Sequence, residues 1–476
     1  MINRDSELKQ AAYQEVEAFR DTVESDPYRL KHHIMPPVGL LNDPNGFIQW
    51  KGTYHLFYQW MPFKTGHGAK FWGHYSSNNL VNWKHEPIAL APSEWYEKNG
   101  CYSGSAIEAD GKLHLFYTGN VKDENGERET YQCLAVSEDA IHFDKKGVVA
   151  ELPEGYTAHF RDPKVWEHEG MWYMVVGAQT QDLKGRAALL RSEDLLNWKH
   201  LGDLTGSKTQ QLDEFGYMWE CPDLFHLDGQ DVLVVSPQGL EPEGIKYQNV
   251  YQSGYFIGNL DYQTAKFSHG VFTELDRGFD FYAPQTTVDD KGRRLLIAWM
   301  SVPDQHEDKH PTIANKWIHT MTFPRKLSIK GEKLIQQPVE ELMLLRKNEQ
   351  VIKNIVIEKD EVYQLETVFE LMLDKMTMEN SFKISIKKNV ELSYSKKDQL
   401  FTLTRISYAD GLPESRQCRL TELNKLHLFV DTSSIEVFIN DGEEVFTARM
   451  FPEIGEKDVV FSSEGETVFD LKMWDL

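Results

Sequence analysis

Residues 42–59 read NDPNGFIQWKGTYHLFYQ. A turn bearing Pro44 between asparagines opens the stretch, a short strand-like run follows, and the charged turn Lys51-Gly52 leads into a second run dense in aromatic and β-branched residues. Taken alone this is a hairpin with good turn chemistry. Its recurrence decides the fold. The same form returns in residues 104–119 (GSAIEADGKLHLFYTG), 161–178 (RDPKVWEHEGMWYMVVGA), 220–237 (ECPDLFHLDGQDVLVVSP) and 283–300 (APQTTVDDKGRRLLIAWM). With Asp43, Ser105, Asp162, Pro222 and Pro284 as equivalent starting positions, the spacings are 62, 57, 60 and 62 residues.

A second unit alternates with the hairpins. Ser77, Ser137, Ser192 and, more loosely, Gly258 each open a turn that leads to an aromatic residue, Trp83, Phe143, Trp198 or Phe267, on a further strand. Each period therefore holds about four strands, the content of a propeller blade. Five such units with little helical signal between them predict an all-β protein built on a five-bladed β-propeller, since a β-sandwich does not keep so constant an interval.

The flanks differ from this pattern. Leu8, Ala12, Val16, Phe19 and Val23 recur at helical spacing and predict a short N-terminal helix over roughly residues 6–24, within a lead-in of residues 1–30. The propeller is expected over residues 31–340. Past Pro338 the hairpin motif stops, and residues 341–476 alternate in strand fashion around the strong turn Asn440-Asp441-Gly442, which predicts a C-terminal β-sandwich. A chain of 476 residues exceeds what one core usually organises, so two domains are the expectation.

Charge and composition exclude several classes. A formal net charge of -23 repels polyphosphates, which argues against nucleic acid and anionic membrane surfaces as partners. A small anionic substrate would need a local basic pocket. No apolar run approaches the roughly 18 residues that span a bilayer, and the first residues lack the apolar core of a secretory signal. Cys101, Cys133, Cys221 and Cys418 form no CxxC pair, so free thiols and a cytoplasmic location are expected. The adjacent His32 and His33 alternate faces of an extended chain and are assigned no metal.

Repeat equivalence then says which side chains meet, because corresponding positions of the blades surround one axis. Asp43 and Asp162 occupy the same slot, and Glu220 falls two residues before it. Three carboxylates facing one cavity raise the pKa of at least one of them, the condition for an acid and a nucleophile to coexist near neutral pH. Arg161, beside Asp162, is suited to holding that acid ionised or forking to a hydroxylated ligand. Glu220 lies among Tyr217, Met218, Trp219, Cys221 and Pro222, an apolar setting that favours a protonated general acid. Aromatic residues nearby, including Trp60, Phe71, Trp72, Tyr102, Trp219, Phe281 and Tyr282, suit a pocket for a small polyhydroxylated ligand, although most aromatic residues in all-β chains are core. Paired carboxylates in such a lining point to glycoside cleavage. Calcium is the competing use of three acids, but no loop has ligand spacing of the EF-hand kind, and neither a metal nor a cofactor is assigned.

At these residues the chain resembles family 32 glycoside hydrolases, a group of invertases, fructanases and sucrose-6-phosphate hydrolases. The resemblance rests on residues 41–46 (LNDPNG), 72–74 (WGH), 102–105 (YSGS), 160–163 (FRDP), 219–223 (WECPD) and 281–285 (FYAPQ), in that order. It implies a propeller followed by a sandwich and retaining hydrolysis of terminal β-fructofuranosides, with Asp43 as nucleophile, Asp162 as transition-state stabiliser and Glu220 as acid/base. It also implies a fructose subsite lined by Asn42, Gln59, Trp72, Tyr102, Ser103, Arg161 and Tyr282. Leu41 departs from the Met common in the family and abuts the nucleophile. The implied partner is a sugar: sucrose, sucrose 6-phosphate or a short fructoside. The basic loop Phe63–Lys70 and Lys316 are candidate phosphate contacts, with solvated surface as the competing reading. Fructan exo-hydrolysis and fructosyl transfer would use the same residues, and a carbohydrate-binding propeller without chemistry gives no reason for acids on three blades. The sandwich is expected to support the propeller and is a candidate surface for homo-oligomer formation.

Overall fold

In the computed structural model of the chain, residues 3–209 and 212–476 are described. Each recurring hairpin becomes the inner half of an antiparallel sheet. Blade 1 holds Gly39–Trp50, Thr53–Met61, Phe71–Ser77 and Lys84–Leu90, and blade 2 holds Cys101–Ala109, Lys112–Lys122, Arg128–Ser137 and Asp144–Ala150. Blades 3, 4 and 5 open on Tyr156–His168, Met218–Leu227 and Tyr282–Val288. Each of these opening strands packs on that of the next blade, and the one from blade 5 packs on the one from blade 1, so five sheets close a ring. Hydrogen bonds lock the closure, because Trp317–Ile318 pairs in parallel with Gly39 and Leu40.

The feature that positions the site also recurs. In every blade the innermost strand slips register against its neighbour near its start: between Leu41 and Pro44, Tyr102 and Gly104, Arg161 and Lys164, Glu220 and Asp223, and Tyr282 and Gln285. A bulge re-aims the side chains around it. Three of the five carry a non-glycine residue at positive φ, Asp162 at 69°, Cys221 at 46° and Ala283 at 48°, a conformation that costs about 1–2 kcal/mol per residue. Aligning the blades on these bulges corrects two equivalences read from the repeat. The blade 2 counterpart is Ser103, not Ser105, whose hydroxyl instead accepts from the Val165 N–H. The three acids also occupy successive places rather than one slot: Glu220 leads into its bulge, Asp162 is first inside its own, and Asp43 is second.

The N-terminal helix, Arg4–Glu24, is capped by Asn3, whose side chain accepts from the Ser6 N–H at 2.9 Å. Its apolar stripe packs as its spacing requires: Ala12 and Val23 join a core with Tyr54, Trp60 and Ile88, and Leu8, Val16 and Phe19 lie partly buried against it. The C-terminal region forms two six-stranded sheets whose facing sides bury Leu371, Ile384, Leu403, Val437 and Phe461. Propeller and sandwich meet through buried ions. His33 bridges Asp431 (2.8 Å) and Glu436 (3.3 Å), and Arg325, with no exposed surface, bridges Asp276 (3.0 Å) and Glu436 (2.8 Å).

Candidate active site

Where the bulges meet, a cavity of about 520 Å³ opens at one end of the ring, lined by Asp43, Asp162 and Glu220. Below it the ring is bridged. Gln285 donates to the Gly104 carbonyl and accepts from the Phe47 N–H, both at 2.8 Å, while Lys164 pairs with Asp223 at 2.9 Å.

Asp43 is held at both oxygens. Its Oδ1 accepts from Asn42 Nδ2 at 3.2 Å and its Oδ2 from the Ser103 hydroxyl. Behind it runs a directed chain: Gln59 Nε2 donates to Ser103, Asn42 Nδ2 donates to Gln59 Oε1 at 3.0 Å, and the buried Lys70 ammonium donates to Asn42 Oδ1 at 2.7 Å. An ammonium can only donate, so Lys70 settles which end of the Asn42 amide faces Asp43, and the rest of the chain follows. Burial, opposed by the charge of Asp43, lowers the Lys70 pKa to about 7. Burial also raises the Asp43 pKa, against the Ser103 bond and with the charge of Glu220.

Glu220 does not have the apolar surroundings that its sequence neighbours suggest. The strand turns Met218 and Trp219 into the core, and the carboxylate meets Arg161 Nη2 at 2.6 Å, Gln238 Nε2 at 2.7 Å and the Tyr282 hydroxyl at 2.7 Å. Burial pushes its pKa up, but Arg161 and the Tyr282 bond outweigh burial and hold it below the usual range. Asp162 moves the other way: burial, resisted by Arg161 and reinforced by Glu220 and Asp43, raises it to about 7. It accepts from the Cys221 N–H at 3.0 Å, and the Cys221 thiol lies 3.6 Å from Asp162 and 3.8 Å from Asp43. Three carboxylates thus face the Arg161 guanidinium, with Lys70 and Arg128 acting from further off, and crowding raises two of them, Asp43 and Asp162, toward the protonated form.

Asn42, Gln59, Tyr102, Arg161 and Tyr282 line the cavity with the acids, and Ser103 reaches it through Asp43. Trp72 does not line it. This side chain is fully buried between Phe57 and Tyr117, and its indole N–H donates to the Tyr102 carbonyl at 3.0 Å, so it braces the blade 1–blade 2 seam behind the pocket. Lys316 is also elsewhere, with its ammonium 5.2 Å from the Phe19 ring centre. Of the basic loop Phe63–Lys70, the residues His67 to Lys70 line the cavity, whereas sequence reasoning missed Gln238, Lys122, Arg128 and His159, which line it too. The repeat contained a signal for Gln238, because Gln59, Gln179 and Gln238 each lie within two residues of the end of the second strand of a hairpin. The cations carry no such signal, since their approach is set by how the blades tilt together.

Comparison with known proteins agrees with this architecture. The model of the glycosyl hydrolases family 32 N-terminal domain matches residues 33–338, and that of the family's C-terminal domain matches residues 333–475. A sucrose-6-phosphate hydrolase of Bacillus subtilis (strain 168) is 57% identical over 484 residues, covering 100% of both chains. The solved structure of a sucrose-6-phosphate hydrolase from Lactobacillus gasseri is similar with a TM-score of 0.89 at 32% identity, over 98% of this chain and 96% of that one. A Bombyx mori GH32 beta-fructofuranosidase, solved as a mutant in complex with sucrose, matches with a TM-score of 0.85 at 34% identity, over 98% of each chain. Family matches across both regions, and a full-length relative identical at more than half its positions, make the protein a glycoside hydrolase belonging to glycosyl hydrolase family 32.

Proposed function

We propose that the protein is a β-fructofuranosidase that hydrolyses sucrose and sucrose 6-phosphate with retention of configuration. The observation that carries this reading is the convergence of Asp43, Asp162 and Glu220 from three blades onto one cavity. The named activities of the full-length relatives supply the sugar. Asp43 attacks the anomeric C2 of the fructosyl unit while Glu220 gives its proton to the glycosidic oxygen, releasing glucose or glucose 6-phosphate and leaving a fructosyl ester on Asp43. Glu220 then takes a proton from water, the hydroxide attacks C2, and fructose departs as Asp43 regains its charge. Asp162 accepts from fructosyl hydroxyls and favours the developing oxocarbenium ion.

In the free site Arg161 keeps Glu220 ionised, whereas the acid role needs it protonated. Substrate hydroxyls that draw Arg161 toward the sugar remove the counter-charge from Glu220, which raises its pKa and lets it take up a proton. Arg161 thereby ties acid function to occupancy of the site. A cytoplasmic location fits a phosphorylated substrate and four free thiols; among the described residues no helix is long and apolar enough to cross a membrane. The division near residue 340 into a catalytic propeller and a supporting sandwich belongs to the same reading. So does assembly of copies through the sandwich, supported by the strand Lys347–Ile357, which leaves Val351, Ile352 and Val356 exposed.

NMR of fresh reaction mixtures tests the mechanism. Sucrose and sucrose 6-phosphate are both expected to yield β-fructofuranose as the first-formed anomer. The α anomer first would replace double displacement by single displacement, and absence of fructose from both substrates would remove the reading.

A further inference from the structure

The second and third strands of blade 2, Lys112–Lys122 and Arg128–Ser137, form a hairpin whose turn end reaches the cavity mouth. Lys122 and Arg128 are direct cross-strand partners there, and both line the cavity. Two cations placed opposite each other in an antiparallel pair repel and weaken the hairpin unless something anionic lies between them. The surrounding acids do not fill that role. Among the described residues neither cation takes part in an ion pair: Asp123 is turned into its own loop, accepting from the Asn125 and Glu127 N–H groups at 2.9 and 2.7 Å, and Glu129 accepts from the Tyr131 hydroxyl at 2.8 Å. Arg128 is half-buried with its guanidinium 5.8 Å from the Tyr102 ring centre, and burial lowers its pKa.

The position of this pair relative to the acids gives it a meaning. Arg161, bonded to Glu220, also reaches His159 Nδ1 at 2.8 Å. Burial, then Arg161 and Arg128, then Lys122 further off, keep His159 neutral, so a row of groups leads from the leaving-group acid out to the hairpin. The cations on the other wall are already engaged. Lys70 is bonded to Asn42, and His67 faces Glu307 at 3.2 Å. In a chain of net charge -23, a basic pair at the mouth with no direct ion-pair partner among the described residues is the local exception that an anionic substrate requires.

We infer that Lys122 and Arg128 form the site for the phosphate of a phosphorylated leaving sugar, and that this hairpin sets the preference for sucrose 6-phosphate over sucrose. The inference rests on the fructofuranosidase reading above. A phosphate monoester carries close to two charges at neutral pH, and the Arg128 fork and Lys122 ammonium together neutralise it. It adds no chemical step: the phosphate is held on the group that leaves, while bond cleavage stays with Asp43 and Glu220.

The test compares kcat/KM for sucrose 6-phosphate and for sucrose. Arg128→Gln is expected to reduce the ratio of the two by roughly 10- to 100-fold, the scale of a lost charge-assisted hydrogen bond, and Lys122→Ala by less. Arg128→Lys is expected to recover part of the ratio. Glucose 6-phosphate should inhibit the unaltered enzyme more tightly than glucose, with that difference shrinking in Arg128→Gln. A parallel loss on both substrates, or an unchanged ratio in a folded variant, overturns the assignment. An unaltered enzyme that cleaves both sugars without preference overturns it too and leaves the fructofuranosidase reading standing. One inert to both removes that reading itself.

Discussion

The cavity and the propeller–sandwich interface both bury carboxylates, and they treat them in opposite ways. At the interface each acid meets a cation directly: Asp431 has His33, Glu436 has His33 and Arg325, Asp276 has Arg325, and Glu444 has Arg277 at 2.9 Å. Burial there is outweighed for Asp431 and Glu436, which lie below their usual range, while Asp276 is raised by burial even with Arg325 beside it. In the cavity Asp43 meets only neutral donors, Asp162 has Arg161 no nearer than 4.0 Å, and both are raised. Compensated charge fixes two regions against each other. Uncompensated charge is stored free energy that a substrate relieves.

Substitutions separate these two uses of buried charge. Asp43→Asn should abolish turnover of both sugars, by about 10⁴-fold or more, and leave the thermal midpoint equal or higher, because it removes a desolvated charge without disturbing the bulge. A lowered midpoint would mean that the acid is structural. Arg325→Met reverses the pattern. It strands Asp276 and Glu436, and denaturant unfolding should show about 3–5 kcal/mol of lost stability, with kcat/KM per folded molecule retained; a loss below about 1 kcal/mol would place the interface among weak ion pairs. The smallest effect is a pH dependence at His33. Burial lowers its pKa, but the bonds to Asp431 and Glu436 outweigh burial and raise it. Its stabilising contribution is therefore complete below its ordinary value of about 6.5 and lost as pH climbs through the raised value, whereas those of Asp431 and Glu436 are present above about 4 and lost as pH falls. Unfolding of the unaltered protein and His33→Gln at pH 6 and pH 9 should differ more at pH 6 than at pH 9. An equal difference at both values would show that His33 is not protonated in the fold.

Much of the architecture was legible because a ring forces one solution on every blade: each hairpin must fit the same wedge, so turns and aromatic residues recur at nearly constant spacing. The acids were legible for the same reason, but their distinct environments were not. Glu220 looked apolar because its chain neighbours Met218 and Trp219 are, yet the adjacent Trp219 faces the opposite way on the strand, and the companions of the carboxylate, Arg161, Gln238 and Tyr282, come from other strands. Trp72 looked like a sugar platform because its residue type suits one; only the packing of blade 1 on blade 2 shows it facing away. The slip from Ser105 to Ser103 has a local cause, since a bulge inserts a residue that no spacing argument counts. Lys122 and Arg128 were hidden in an acidic loop sequence, DENGE at 123–127.

The parallel pairing of Trp317–Ile318 with Gly39–Leu40 has a consequence for biosynthesis. Trp317 also donates to Asp26 at 2.7 Å, and the Met321 N–H donates to the Ile34 carbonyl at 2.9 Å, so the segment around Asp43 is clamped by chain made nearly 280 residues later. Local hairpins can form as the ribosome delivers them, but a contact of such separation waits for its second half and carries the entropy of closing the whole loop. The strand that carries Asp43 is among the first made and among the last secured. A nascent chain therefore holds all three acids, from residue 220 onward, well before it holds a site.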